Sequence, residues 1–182
     1  MANVSGSVLY FQKEYIIKKF GQEKLDKLIE DMDADSKEVM NGAIQSGKMY
    51  NVKVFQDMLY AMKVHLGMEE VANSSIEAAN TQLKRLFGFI AKFVSAQKIL
   101  EHGQWMWNRC YDEGSIEVLN FDENSVKMQV KNFKFTPVHR YGQEIFFKAL
   151  IEIVLKKKVS NSVSRAVDDT TTEFFYSIKN EN

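Results

Sequence analysis

Near residue 110 the hydrophobic period of this chain changes from that of a helix to that of a strand, and few architectures accommodate such a switch. Through about Asn108, apolar residues recur three and four positions apart. From Ser115 they alternate. SIEVLNFDENSVKMQVKNF reads as two strands around Asp122-Glu123-Asn124, YGQEIFFKALIEIVLKKK as a helix with an apolar face, and SVSRAVDDTTTEFFYSI as two more strands around Asp168-Asp169. A helical front joined to a ββαββ back predicts an α+β fold, its helical N-terminal part packed on a small antiparallel sheet. At 182 residues, with one proline and no low-complexity stretch to serve as a linker, the expectation is a single domain over 1–182, helical to about 110 and sheet-forming from about 111.

The periodicity also predicts individual elements. A first helix runs from Ser7 to Lys19 with Val8, Phe11, Tyr15 and Ile16 on one stripe and Gly21 as its cap. Leu25, Leu28 and Ile29 face inward from a second. Asp35 or Ser36 caps a third, which ends by Ile44. After an extended entry at Tyr50–Val54, a helix from Phe55 to Gly67 buries Phe55, Met58, Leu59 and Met62. Met68–Val94 is the longest helical stretch, with Asn73-Ser74-Ser75 as the place for a break. The wide apolar face of Leu83, Leu86, Phe87, Ile90, Phe93 and Val94 marks a central helix. Ser95 caps the next, which Gly103 interrupts. Val126, Met128 and Val130 form a clean inward set, and both faces of the strand before them carry large apolar residues. Pro137 opens a helix whose interior side is Ile145, Phe146, Ala149, Leu150 and Ile153.

Charge and cysteine content narrow the function. Lys plus Arg and Asp plus Glu both number 24, so no net charge draws the chain to nucleic acid. No apolar run is long enough to span a bilayer. The lone Cys110 cannot form an internal disulfide, and the N-terminus lacks the basic start of a secretory signal, so the expected location is cytoplasmic.

Chemistry is hard to assemble from these residues. His65, His102 and His139 stand far apart, with no i, i+4 pair and no HExxH, so no metal site follows from spacing. Each histidine reads as a surface or boundary residue, and Cys110 as a small buried one. GxSxG, GxxxxGK[ST] and a strand-linked GxGxxG do not occur. Paired carboxylates (Glu69-Glu70, Asp168-Asp169) sit where a helix start and a turn explain them. An enzyme is therefore not expected. What stands out is aromatic content: Phe87, Phe93, Trp105, Trp107 and Tyr111 before the sheet, then Phe133, Phe135, Tyr141, Phe146, Phe147, Phe174, Phe175 and Tyr176. Such side chains fill a bulky core, line an apolar pocket, or face a dimer partner.

Two segments carry a family resemblance. GSVLYFQKEYIIKKFGQEKLDKLIEDM with YNVKVFQDMLYAMKVHLGM resembles the helical opening of haem nitric oxide/oxygen-binding (H-NOX) domains. VHRYGQEIFFKALIEIVLKKKVSNSVSRAVDDTTTEFFYSIKN resembles their closing helix and hairpin. The same layout occurs in vinyl-reductase-like ligand-binding domains and TRAPP vesicle-tethering subunits, and LFGFIAKFVSAQKILEHGQWMWNRCYDEGSIEV is nearer to a myxobacterial paralogue family of this fold. The resemblance implies a sensory domain. H-NOX domains hold haem through a helical histidine and a Tyr-x-Ser-x-Arg motif. This sequence has no such motif, and the proximal position falls near Ser95 or Ala96, leaving His102 as the candidate haem ligand only after a shift of register.

The combined expectation is a haem-independent, cofactor-free ligand-binding domain. It holds a small apolar or lipidic molecule between helices and sheet through Phe87, Ile90, Phe93, Val94, Trp105 and Phe146. Its partner in signalling is a second copy or a separate protein. The alternatives are a dimerising scaffold without ligand and a haem gas sensor using His102 or His65.

Overall fold

A computed structural model describes the backbone of residues 2–87 and 102–179, and the side chains of the same residues except 82–87. The described chain is α+β, with two antiparallel sheets. It divides into two compact units, Met1–Ser74 with Asn108–Glu113, and Ser75–Trp107 with Gly114–Asn182.

The first unit is helical. Strand β1 (Asn3–Ser5) pairs antiparallel with β2 (Met49–Asn51), placing Val4 opposite Tyr50. Helix α1 (Gly6–Phe20) follows at once, its Ser7 N–H capped by the Ser5 hydroxyl, and Gly21 at φ 85° ends it. Helices α2 (Gln22–Glu30), α3 (Ala34–Asn41) and α4 (Val52–Leu66) pack around it. The cap of α3 is Asp33, whose carboxylate accepts from Ser36 N–H at 2.8 Å. The Asp35 or Ser36 expected from sequence both lie inside the helix, because the hydrogen bond runs from cap to third residue. Helix α5 (Met68–Phe87) is continuous through Asn73-Ser74-Ser75. Ser74 causes no break because its hydroxyl donates back to Val71 O at 3.0 Å, satisfying itself within the helix. Glu70 in the first turn of α5 accepts from Tyr15 Oη (3.0 Å), Lys19 Nζ (2.6 Å) and Asn73 Nδ2 (3.0 Å), tying α5 to α1. The Lys19 ammonium holds the Glu70 carboxyl below the usual carboxylate range. Leu9, Ile16, Leu25, Leu28, Met40, Met58 and Met62 are fully enclosed. Residues 108–113 return to this unit. Tyr111 bridges to Val4, and the Asp112 carboxylate accepts both Asn3 N–H and Asn3 Nδ2 at 2.7 Å.

The second unit is built on a four-stranded sheet. Helix α6 (Gly103–Cys110) leads through Gly114 into β3 (Ser115–Phe121), β4 (Ser125–Lys131), α7 (Pro137–Leu155), β5 (Val159–Ala166) and β6 (Thr172–Ile178). All neighbours are antiparallel, in the order β3-β4-β6-β5. Register places Val126, Met128 and Val130 opposite Tyr176, Phe174 and Thr172, one continuous buried face. The opposite face carries Glu117–Lys131 and Lys127–Glu173–Arg165 ion pairs. Strand β3 is not covered on both faces as its composition suggested. A register shift between Val118 and Asn120 bulges the strand, and Leu119 is left exposed.

Candidate functional site

The described interior of the sheet-bearing unit is a chain of aromatic rings around one histidine. Asn132 adopts φ 57°, a left-handed turn that asparagine tolerates, and so redirects the chain as it leaves β4. Phe133 then turns inward, its N–H donating to Thr170 O at 3.0 Å. Phe135 follows two residues on, and Thr136 caps α7 by accepting from His139 N–H at 3.3 Å, with Pro137 in the first turn. One turn into α7 the His139 imidazole arrives among these rings. Its centroid lies 4.9 Å from Phe135 and 5.7 Å from Phe133. Phe133 meets Trp107 at 5.0 Å, Phe135 meets Phe174 at 6.1 Å, and Phe174 meets Phe147 at 5.2 Å, all edge-on. Edge-to-face pairs of this kind contribute about 0.5–1.5 kcal/mol each beyond their burial. Gly114, at φ 89°, lets the chain pass against the indole: a Cβ there would sit 3.1 Å from Trp107 Nε1 and 3.0 Å from Phe133 Cβ.

Polar groups border the cluster and are satisfied. Tyr176 Oη donates to Glu144 O at 3.1 Å, and burial pushes its phenol well above the ordinary tyrosine range. Ser162 Oγ donates to Glu144 Oε1 at 2.7 Å. His139 is 1 % exposed, and burial lowers its imidazole from 6.5 to about 3. The sign of the pH effect follows. Above 6.5 the imidazole is neutral folded or unfolded. Between 6.5 and about 3 only the unfolded chain takes up the proton, so stability falls as pH falls, by about 1.4 kcal/mol per unit. Urea midpoints measured from pH 7 to pH 5 should therefore decline for the parent chain, and less for His139→Phe. Parallel slopes would contradict the buried neutral imidazole.

The sequence-predicted site residues fare unevenly. Ile90, Phe93 and Val94 lie outside the described residues, as does the side chain of Phe87, the last residue of α5. Trp105 is 46 % exposed, whereas Trp107, two residues on and facing oppositely round the helix, is buried. Phe146 is half-buried and packs 5.9 Å edge-on against Phe147, which is the buried member of the pair. Helix α7 buries Ala149 and Leu150 of the predicted stripe, but its other buried residues are Val138, His139, Gly142, Phe147 and Ile151, while Ile145 and Phe146 are half-buried and Ile153 is exposed. His139, read from sequence as a surface or boundary residue, belongs to the core. The available signal was local, since Phe133 and Phe135 precede it across a Thr-Pro helix start.

Haem places a distinct demand, an imidazole facing open volume. His102 is exposed in the turn before α6, where its carbonyl accepts Met106 N–H. His65 is paired with Asp31. His139 is enclosed by rings. Among the described residues no group of three or more His, Cys, Asp or Glu could hold a metal ion. A shallow open groove of about 250 Å³ lies in the helical unit, but Asp26, Glu30, Lys37 and Asn41 dominate its lining around Ile29 and do not suit an apolar guest. Among the described residues no helix is long and apolar enough to cross a membrane.

No family model and no curated protein matches the sequence. Solved structures do match in shape. An Fe(II) unliganded H-NOX protein from K. algicida aligns with TM-score 0.70 at 14% identity, over 98% of this chain and 97% of that one. An H-NOX protein from S. oneidensis in the Fe(II)NO ligation state aligns at 0.68 and 13%, over 97% and 99%. A structure from a study of heme distortion in the H-NOX family aligns at 0.67 and 11%, over 98% and 95%. The chain has an H-NOX-like fold.

Proposed function

We propose that this chain is a haem-independent sensory domain that binds a small apolar or lipidic molecule within its sheet-bearing unit, against the aromatic inner face of the sheet. The observation that carries this reading is the ring cluster of Trp107, Phe133, Phe135, His139, Phe147 and Phe174, set in a chain of H-NOX-like fold. Apolar surfaces with one or two polar groups are the usual lining of small-molecule sites. Among the described residues no metal-binding set accompanies the rings. On this reading the domain reports occupancy to a separate signalling protein and catalyses nothing. Phe87, Ile90, Phe93, Val94, Trp105 and Phe146 are the ligand-binding residues of this proposal.

An absorption spectrum and a native mass spectrum of the same freshly purified sample test it. A colourless protein carrying the mass of an apolar adduct, lost after delipidation and regained with a fatty-acid probe, is the expected result. A Soret band would overturn haem independence and make His102 the first residue to replace. A colourless protein at bare mass that takes up no probe would overturn the ligand itself.

A further inference from the structure

The two edges of the four-stranded sheet are finished differently. The β3 edge is closed: its bulge breaks the ladder, and the Gln104 side chain accepts Ile116 N–H at 2.7 Å, occupying an edge donor. Among the described residues the β5 edge has no such cover. Glu152 accepts Val159 N–H at its start and a register shift follows at Ser160, but from Asn161 to Ala166 the strand pairs only with β6 among the described residues. This stretch contains no proline and no lysine, the residues that usually blunt an edge. Its one charge, Arg165, is ion-paired to Glu173 on the neighbouring strand at 3.0 Å. Val163 is 48 % exposed, and Val167, just past the strand, 52 %.

We propose that β5 is the pairing edge for a second copy of this chain, antiparallel about a twofold axis at Val163. The backbone has the right phase. Val167 N–H donates to Thr171 O at 2.8 Å, so by the period of two Arg165 and Val163 also turn their amides towards β6. Those of Ser162 and Ser164 then point outwards, and an axis at Val163 sets each Ser162 opposite a partner Ser164 as a hydrogen-bonded pair. The side chains agree with that register. Val163 meets its symmetry mate beside the Phe175 of each copy, which lies opposite Val163 in the sheet. Asn161 faces Arg165, and serine faces serine, so no like charges oppose one another. A twofold partner must be complementary to itself, and this edge is. A partner of strong charge of either sign would gain nothing from so neutral a strand.

Sedimentation of the whole chain over a wide concentration range tests the proposal, with two variants. The parent chain is expected to reach twice its monomer mass. Val163→Lys places two ammonium groups at the axis and should weaken the dimer about tenfold or more, with an unchanged thermal melt because the position is exposed. In a Cys110→Ser background, Val163→Cys should form an intermolecular disulfide on mild oxidation, because facing residues at a non-hydrogen-bonded pair lie about 4.5 Å apart. A parent chain that stays monomeric throughout, or a dimer that neither Val163→Lys weakens nor Val163→Cys cross-links, would overturn it.

Discussion

Phe133→Ala is expected to lower the stability of the chain by about 3–5 kcal/mol, the range for deleting a fully enclosed phenylalanine ring. Phe133 is 2 % exposed, and its ring touches Trp107, Phe135 and His139 at 5.0, 4.8 and 5.7 Å. Removal therefore leaves three rings facing a void. Collapse is restricted, because Gly114 already brings backbone against Phe133 Cβ and the Trp107 indole, and the chain after Asn132 is fixed by the Phe133–Thr170 hydrogen bond. Urea titration should show a reduced midpoint at unchanged slope, and Trp107 emission should shift as its edge contact is lost. Trp105→Ala serves as the control. Its ring is as large but 46 % exposed, so the loss should be under about 1 kcal/mol. Equal losses for the two variants would contradict the cluster.

The second large effect comes from an atom added rather than removed. Gly6 opens α1, and on helix propensity alone alanine would be preferred there by up to about 1 kcal/mol. A Cβ at Gly6 would instead lie 2.1 Å from Gln45 O and 2.9 Å from the Tyr50 ring. Neither neighbour yields easily. Gly6 N–H donates to Lys48 O at 2.8 Å, and Tyr50 Oη accepts from Gln45 N–H at 2.9 Å, so the loop is held against the helix start. Gly6→Ala should cost about 2–3 kcal/mol. Gly47→Ala, where a new Cβ meets nothing within 4 Å, should be near neutral by the same denaturation measurement.

Much of the fold could be read in the chain because its strongest signals are local. Gly21, Pro137 and the Val126-Met128-Val130 alternation act within a few residues and mark element ends and faces correctly. What escaped the reading depended on partners distant in sequence. The phase of α7 is ambiguous where Ile145, Phe146 and Phe147 run together, and only contacts from Phe174 and Phe133 choose Phe147 and His139 for the interior. Leu119 is an apolar residue in a strand, yet the bulge opposite Met128 and Lys127 turns it out. The aromatic abundance was plain from composition. Which rings meet was not, since Trp107 and Phe135 are joined only by the path through Gly114 and the sheet. Ile90, Phe93 and Val94 were proposed for the apolar wall from helical spacing, and they lie outside the described residues.

The two units are packed from different materials. Met32, Met40, Met58 and Met62 are buried in the helical unit, where Gln12 Nε2 donates to Met62 Sδ. The sheet-bearing unit is held by rings meeting edge-on. Thioether side chains are unbranched and re-pack around a neighbour's change, whereas a ring fits only the space shaped for it. Random variation should thus accumulate unevenly: the helical unit can drift through many apolar exchanges and keep its fold, while the ring cluster resists them. The same contrast makes the helical unit the more vulnerable to peroxide, since each sulfoxide would place a polar oxygen in a dry interior.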